Sequence, residues 1–232
     1  MTKPGVLLIH PYYPPDKSPY GRILSMLGRS LVHEGFPTAV VTTTSGLPKG
    51  HDDKPPCHRC PEVRRVPGTS ARGSWRSRVM LSFKIWKQAL LLGAGSKFKI
   101  VVVSSAPPVV LALMICITFK VLGKRVVYNV MDIQPEISFS FGDFHNRFGY
   151  RLLLLADNWT LKHADMVVVL SDDMKRSLQA ERGLHQLAVE VRNNPILYPE
   201  QGHPDQVDHV SATEWGMAKR SYGLYMGQVG RF

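Results

Sequence analysis

The chain has 232 residues, of which 44% are hydrophobic and 20% charged, and this balance excludes an intrinsically disordered protein. The formal net charge of +11 predicts an anionic partner: nucleic acid, an anionic membrane or a phosphorylated small molecule. Three cysteines, an odd and small number, do not make a disulfide framework and favour a reducing cytoplasm.

Short apolar strands alternate with helical stretches along most of the chain. Strands are predicted at residues 5–11, 37–44, 62–66, 99–104, 125–132, 166–171 and 189–193, and helices at 19–34, 74–92, 109–122, 148–162 and 172–181. Ser18 and Pro19 mark the start of the first helix, and Gly35 marks its end. The alternation predicts an α/β fold: a Rossmann-like parallel sheet with helices on both faces.

Residues 100–119 are apolar over a length that would cross a bilayer. Ser104, Ser105, Pro107 and Pro108 interrupt the run in its middle, which is typical of a turn. The segment is therefore predicted to be a buried strand followed by a buried helix.

The sequence changes character after residue 196. It becomes polar and loses its periodicity, which indicates a linker at residues 197–221. Residues 222–232 begin with YGLYMGQVG, an apolar strand and a glycine-rich turn. We expect one domain at 1–196, the linker, and the start of a truncated second domain at 222–232.

Parallel sheets bind ligands beyond the carboxyl ends of their strands, so the residues that follow each strand are the candidates for a site. Gly21 and Arg22 lie at the start of the first helix, where free N–H groups and a positive side chain can hold a phosphate. The alternative is an ordinary helix start with a solvated arginine. Ser104 and Pro107 either line a pocket or simply make the turn.

Two carboxylates follow the fifth strand in the motif DIQPE. Asp132 and Glu136 would lie at the edge of the sheet, where a carboxylate can accept a proton or orient a hydroxyl. The alternative is that they cap backbone N–H groups of the loop.

Two further segments carry a chemical signature. Cys57 and Cys60 form CHRC, but a zinc site needs a second pair of ligands, so a solvated loop is favoured and no metal is expected. Residues 72–92 interleave basic and aromatic side chains, which suits either an anionic bilayer or packing on the sheet through one face.

Several motifs, in this order, resemble family-4 glycosyltransferases, which have the two-domain GT-B fold. They are HPYYPPDKSPYGR, SSAPPVVLALMICITFKVLGKRVVYNVMDIQPE, ADMVVVLSDDMKRSL, VRNNPI and YGLYMGQVG. The pattern is most similar to bacterial exopolysaccharide and colanic-acid enzymes. One departure is Tyr20 before Gly21, where the family usually has paired glycines.

The resemblance implies the N-terminal, acceptor-side domain of a retaining hexosyl-type glycosyltransferase, with its C-terminal donor domain missing. Such an enzyme transfers a sugar from a nucleotide-sugar to a glycan or lipid-linked acceptor, without a metal or other cofactor. It implies Asp132 and Glu136 as catalytic residues, with Asp132 as an orienting group. It also implies Gly21 and Arg22 at the donor phosphate, and Tyr12, Ser104 and Pro107 at the acceptor. The implied location is the cytoplasm, peripheral to the inner face of the plasma membrane.

Other functions fit less well. A non-catalytic module that binds acceptor or membrane, and needs a separately encoded C-terminal domain, remains an alternative. A nicotinamide-dependent enzyme is disfavoured because GxGxxG does not follow the first strand. Nucleic acid is not expected as a partner, since helix-turn-helix, RNP and zinc-finger signatures are lacking.

Overall fold

The computed structural model describes residues 3–45, 47, 60–68, 75–107, 109–140 and 146–194. Within them, seven parallel strands form one sheet: β1 Gly5–Ile9, β2 Thr38–Thr43, β3 Glu62–Val66, β4 Phe98–Ser104, β5 Arg125–Val130, β6 Met166–Val169 and β7 Val189–Val191. The strand order is β3-β2-β1-β4-β5-β6-β7.

The helices occupy the connections between these strands. They are α1 Pro19–His33, α2 Trp75–Gly93, α3 Val110–Val121, α4 Glu136–Ser140, α5 Arg147–His163 and α6 Asp172–Arg176, which continues into a π-helical turn at Ser177–Glu181. The predicted strands and helices are present with ends that agree within two residues, except that the last helix divides into α6 and the turn. The short helix α4 was not predicted.

The sheet is covered on both faces, which confirms the predicted α/β architecture. On one face α2, α3 and α5 pack through side chains such as Ile85, Ile115 and Leu161, all fully buried. On the other face α1 packs Leu24 against Leu8 of the central strand. All five residues of β1 are buried, as expected for a strand that lies between two layers.

The chain changes direction in the sheet between β1 and β4. From β1 it proceeds through β2 to β3 at one edge, then returns to β4 beside β1 and continues outward to β7. The gap between the carboxyl ends of β1 and β4 is therefore a topological switch point, where open α/β sheets form their ligand crevice.

Residues 100–119 form the strand β4 and most of α3, as the sequence predicts. Among the described residues, no helix combines the length and apolar character needed to cross a membrane. The described residues belong to the unit Met1–Pro195, and a second unit comprises Ile196–Phe232. The predicted linker at 197–221 and the strand at 222–232 lie outside the described residues and stay predictions.

Gly5 lies where two backbones approach too closely for a side chain. The register between β1 and β4 shifts between Gly5 and Val6, and a Cβ on Gly5 would lie 2.4 Å from the carbonyl oxygen of Lys97. We expect Gly5→Ala to lower the free energy of unfolding by about 1–3 kcal/mol, because a backbone atom cannot rotate away. The measurement is urea denaturation.

Gly95→Ala is the matched control, since nothing lies within 4 Å of a Cβ at that position. It should change the free energy of unfolding by less than about 0.5 kcal/mol. Equal stability of the two variants would contradict this account of Gly5.

Candidate functional site

The carboxyl ends of β1, β4 and β5 bring together polar side chains that are distant in sequence. His10 directly follows β1, Ser104 ends β4, and Asn129 lies near the end of β5. His10 Nδ1 lies 2.6 Å from Ser104 Oγ. Because β1 and β4 flank the switch point, this buried hydrogen bond spans the place where the fold opens its ligand crevice.

Ser104 has two hydrogen-bond partners, His10 and the backbone of Ala106. The Ser104 hydroxyl has one hydrogen, and its oxygen lies 2.6 Å from His10 Nδ1 and 3.2 Å from the carbonyl oxygen of Ala106. The partner that receives this hydrogen is set by the tautomer of His10. In either tautomer Ser104 engages Nδ1, so Nε2 is the ring nitrogen that remains for a ligand.

His10 is held neutral by its burial. Its side chain packs edge-on against Tyr20, with ring centroids 4.5 Å apart, and against Tyr12 at 5.7 Å. Loss of water lowers the pKa of His10 to about 3. Within the described residues, the buried Nε2 atom has no hydrogen-bond partner. The site thus contains an uncharged imidazole with one ring nitrogen available for a hydrogen bond.

Asn129 provides a second unpaired polar atom. Its Nδ2 group donates to the hydroxyl of Tyr20, which connects β5 to the first turn of α1. Its Oδ1 atom is buried and lacks a partner among the described residues. Burial raises the pKa of Tyr20 to about 12, so the phenol stays protonated. Buried polar atoms are normally paired, and two unpaired polar atoms at one edge indicate a place for a polar ligand.

Asp132 lies on the loop that leaves β5, as predicted, and Ser105 holds that loop. The Ser105 hydroxyl accepts hydrogen bonds from the backbone N–H groups of Met131 and Asp132, at 3.0 and 3.3 Å. Removal from water raises the pKa of Asp132 above its ordinary value. A positioned carboxylate with a raised pKa suits the orientation of a hydroxyl group.

Glu136 has a different environment from Asp132, although the sequence paired them. Both of its carboxylate oxygens accept hydrogen bonds from Arg182, with Oε1 2.7 Å from Nε. Arg182 also donates to Asp157 Oδ2 at 2.6 Å, and Tyr128 donates to Asp157 Oδ1 at 2.8 Å. The Arg182 side chain is only 4% exposed. Glu136 therefore belongs to a buried ion cluster, and its catalytic role stays a prediction.

The structure also describes the other predicted site residues. Gly21 is buried, and a Cβ there would lie 3.3 Å from the backbone of Tyr12, so the helix start packs closely on the loop after β1. Arg22 is exposed, and its backbone N–H donates to Ser18 within the helix. Tyr12 is half-buried, whereas Ser104 and Pro107 are buried. Ser104 supports His10 and does not present a free hydroxyl at the surface.

An apolar groove of about 540 Å³ runs along the α1 side of the sheet. Its lining includes Ile23 and Leu27 of α1, Val102 and Val168 of the sheet, and the residues 192–194. Tyr20 and Asn129 also line it, so the hydrogen bond between these two side chains forms part of its wall.

Most of the cysteine motif lies outside the described residues. Cys60 is disulfide-bonded, whereas Cys57 lies outside the described residues. A disulfide was not expected from the cysteine number. Cys116, a residue of α3, is free and buried in the core. In the described part of the chain, no group of three or more His, Cys, Asp or Glu side chains is arranged to hold a metal ion.

Sequence comparison places most of this unit in a known family. The profile of Glycosyltransferase Family 4 matches residues 21–196, which is more than half of the chain. Among curated proteins, none matches the chain.

Solved structures resemble the chain at low sequence identity. A sucrose-phosphate synthase from Thermosynechococcus elongatus is 12% identical with a TM-score of 0.58, over 83% of this chain and 48% of that one. UGT2 of Phytolacca americana, solved with UDP-2-fluoro-glucose and pterostilbene, is 11% identical with a TM-score of 0.52, over 86% of this chain and 55% of that one. This likeness shows the fold, and the chain spans about half the length of each structure.

Arg182 compensates a buried negative charge, and its removal tests the ion cluster. We expect Arg182→Met to lower the free energy of unfolding by about 3–5 kcal/mol, because Asp157 would remain buried without its cation. Arg176→Met removes an ion pair with Asp173 in which both side chains are exposed. This change should lower the free energy of unfolding by less than about 1 kcal/mol. Urea denaturation measures both, and similar losses would contradict a structural role for the cluster.

The buried imidazole of His10 should make stability depend on pH. Its pKa is depressed in the folded state, so below about pH 6.5 the unfolded chain binds a proton that the folded chain does not. Above about pH 6.5 the neutral His10 does not lower the free energy of unfolding. Below that pH, the free energy of unfolding decreases by up to about 1.4 kcal/mol per pH unit as the pH falls towards 3.

Urea denaturation between about pH 7 and pH 4 measures this slope. We expect the free energy of unfolding to decrease less steeply with falling pH in His10→Asn than in the wild-type chain. His33→Asn is the control, because the His33 side chain is 69% exposed. An unchanged slope in His10→Asn would contradict the neutral, buried imidazole.

Proposed function

Because this chain belongs to Glycosyltransferase Family 4, we propose that it is the acceptor-side part of an enzyme that transfers a sugar from a nucleotide-sugar to a glycan or lipid-linked acceptor. The observation that carries the proposal is the polar group at the switch point. His10 Nε2 and Asn129 Oδ1 are buried polar atoms that lack partners among the described residues, and sugar hydroxyls can both donate and accept hydrogen bonds.

The proposed reaction forms a bond between the acceptor oxygen and the anomeric carbon of the donor sugar. The bond from that carbon to the diphosphate oxygen breaks, and the proton of the acceptor hydroxyl passes to the departing diphosphate. Attack on the face from which the diphosphate leaves would retain the anomeric configuration. Positioning and stabilisation of the leaving charge would supply most of the catalysis.

Asp132 is the residue we assign to orientation of the acceptor. Its loop is fixed by Ser105, its carboxyl is partly withdrawn from water, and it follows a central strand of the sheet. Tyr12 and the His10–Ser104 pair would form the adjoining wall, with Pro107 behind the turn. Glu136 would act indirectly, through the Arg182 cluster that holds α4.

Gly21 and Arg22 are proposed to face the donor phosphates. The first turn of α1 has no acidic residue, and Arg22 is exposed there, so an anion would be attracted. The Phytolacca protein was solved with a UDP-sugar analogue, which supports a nucleotide-sugar as the first donor to test. We propose a hexose as the sugar, cell-surface polysaccharide synthesis as the pathway, and a cytoplasmic site that needs no metal or other cofactor.

The test is a transfer assay with UDP-glucose as the first donor. The full chain is assayed alone and together with a donor-binding domain from a family-4 relative, and product is measured by release of UDP. We expect transfer with the added domain, and a decrease of about tenfold or more in kcat/KM for Asp132→Asn, because the amide cannot orient the hydroxyl as a carboxylate does.

Glu34→Gln is the matched control, since Glu34 is an exposed carboxylate at the opposite end of α1. It should leave kcat/KM unchanged. Equal activity of Asp132→Asn and the wild-type chain would show that the site is assigned wrongly. Failure of transfer with every donor tested, while acceptor glycan still binds, would favour the non-catalytic module.

A further inference from the structure

Three neighbouring helices expose large apolar side chains on the same side of the sheet. Thirteen large apolar side chains are exposed in the described part of the chain, and ten of them lie on α2, α3 or the residue that ends α3, and α5. These ten, which we call the apolar surface, are Met80, Phe83, Leu91, Ile117, Val121, Leu122, Phe148, Leu152, Leu155 and Trp159. Helix α3 contacts both α2 and α5.

The side chains of α5 form a regular stripe. Phe148, Leu152, Leu155 and Trp159 follow one another at intervals of four, three and four residues, which places them on one side of the helix. Phe148 is 75% exposed and Leu155 67% exposed. Helix α5 thus buries one side against the sheet and presents a second apolar side outward, which a stable surface helix does not need for folding.

Basic residues accompany these apolar side chains. On α2, Lys84 and Lys87 lie on the same side of the helix as Met80 and Phe83, and all four side chains are exposed. On α5, Arg147, Arg151 and Lys162 lie along one flank of the stripe, and all three are exposed.

Acidic residues are nearly absent from the same helices. Across Trp75–Gly93, Val110–Val121 and Arg147–His163 the sequence contains one acidic residue, Asp157, which is buried and paired with Arg182. Asp165 lies just beyond α5, but Lys120 pairs with it at 2.8 Å. The surface therefore combines apolar and positive character without an exposed, unpaired acid on its helices.

We propose that the apolar surface lies on an anionic lipid bilayer, with α5 parallel to the membrane plane. The stripe of α5 and the exposed aromatic rings of Phe83 and Trp159 would enter the interface, while lysine and arginine side chains reach the lipid phosphates. A symmetric contact with a second copy is disfavoured, because it would bring these cations together. The proposal does not depend on sugar transfer.

The test is sedimentation of the full chain with lipid vesicles. Vesicles of phosphatidylcholine with about 30% phosphatidylglycerol should bind the chain at least about tenfold more tightly than pure phosphatidylcholine, and added salt should weaken that binding. We expect Leu152→Glu with Leu155→Glu to weaken binding by about tenfold or more, because two charges would enter the apolar interface.

Met26→Glu with Leu27→Glu is the matched control. It makes the same change in charge at two exposed apolar residues of α1, on the opposite face of the sheet, and should leave vesicle binding nearly unchanged. Arg147→Gln with Arg151→Gln should reduce binding to anionic vesicles only. Circular dichroism would establish that each variant is folded.

Two results would overturn the proposal. Vesicle binding that is weakened equally by Met26→Glu with Leu27→Glu and by Leu152→Glu with Leu155→Glu would mean that net charge alone attracts the chain to lipid. Absence of vesicle binding, together with a wild-type oligomer that Leu152→Glu with Leu155→Glu dissociates, would mean that the surface binds protein.

Discussion

The structure depends on a strand that must be buried on both faces. β1 has no polar side chain and no exposed residue, so it is stable only between two parallel neighbours with a helical layer above and below. Helix α1 covers one face of this strand, and α2, α3 and α5 cover the other. The chain proceeds from β1 towards one edge of the sheet and from β4 towards the other. At the gap between these two strands, His10 and Ser104 form their hydrogen bond. The candidate site is therefore a result of how the sheet is completed.

Most of the fold could be predicted from the sequence because its signals are local. Apolar runs such as Gly5–Ile9 indicate buried strands, and Ser18 with Pro19 indicates a helix start, whichever partners the elements later find. Helix α4 was missed because its five residues are too few to show a helical period. The division after α6 depends on backbone hydrogen bonds that have no signature in composition.

The site was harder to predict, because its residues come together only through the order of the strands in the sheet. Asp132 could be placed, since it follows a strand, and Ser105 belongs to a turn that was noticed. His10 was missed because it was included in the predicted first strand. A polar Asn129 within an apolar strand is the one sequence signal for this part of the site. The partner of Glu136 could not be found, because Arg182 lies 46 residues away along the chain.

The Arg182 cluster has a mechanical consequence. Glu136 lies four residues after Asp132, and Asp157 lies in α5 on the side opposite Leu155 and Trp159. One guanidinium group thus clamps the loop beyond β5 to the helix that carries the exposed stripe. If the stripe rests on a surface, the Asp132 carboxylate would lie at a fixed distance from that surface. Arg182, together with Ser105, would then set how far the protein reaches towards an anchored molecule.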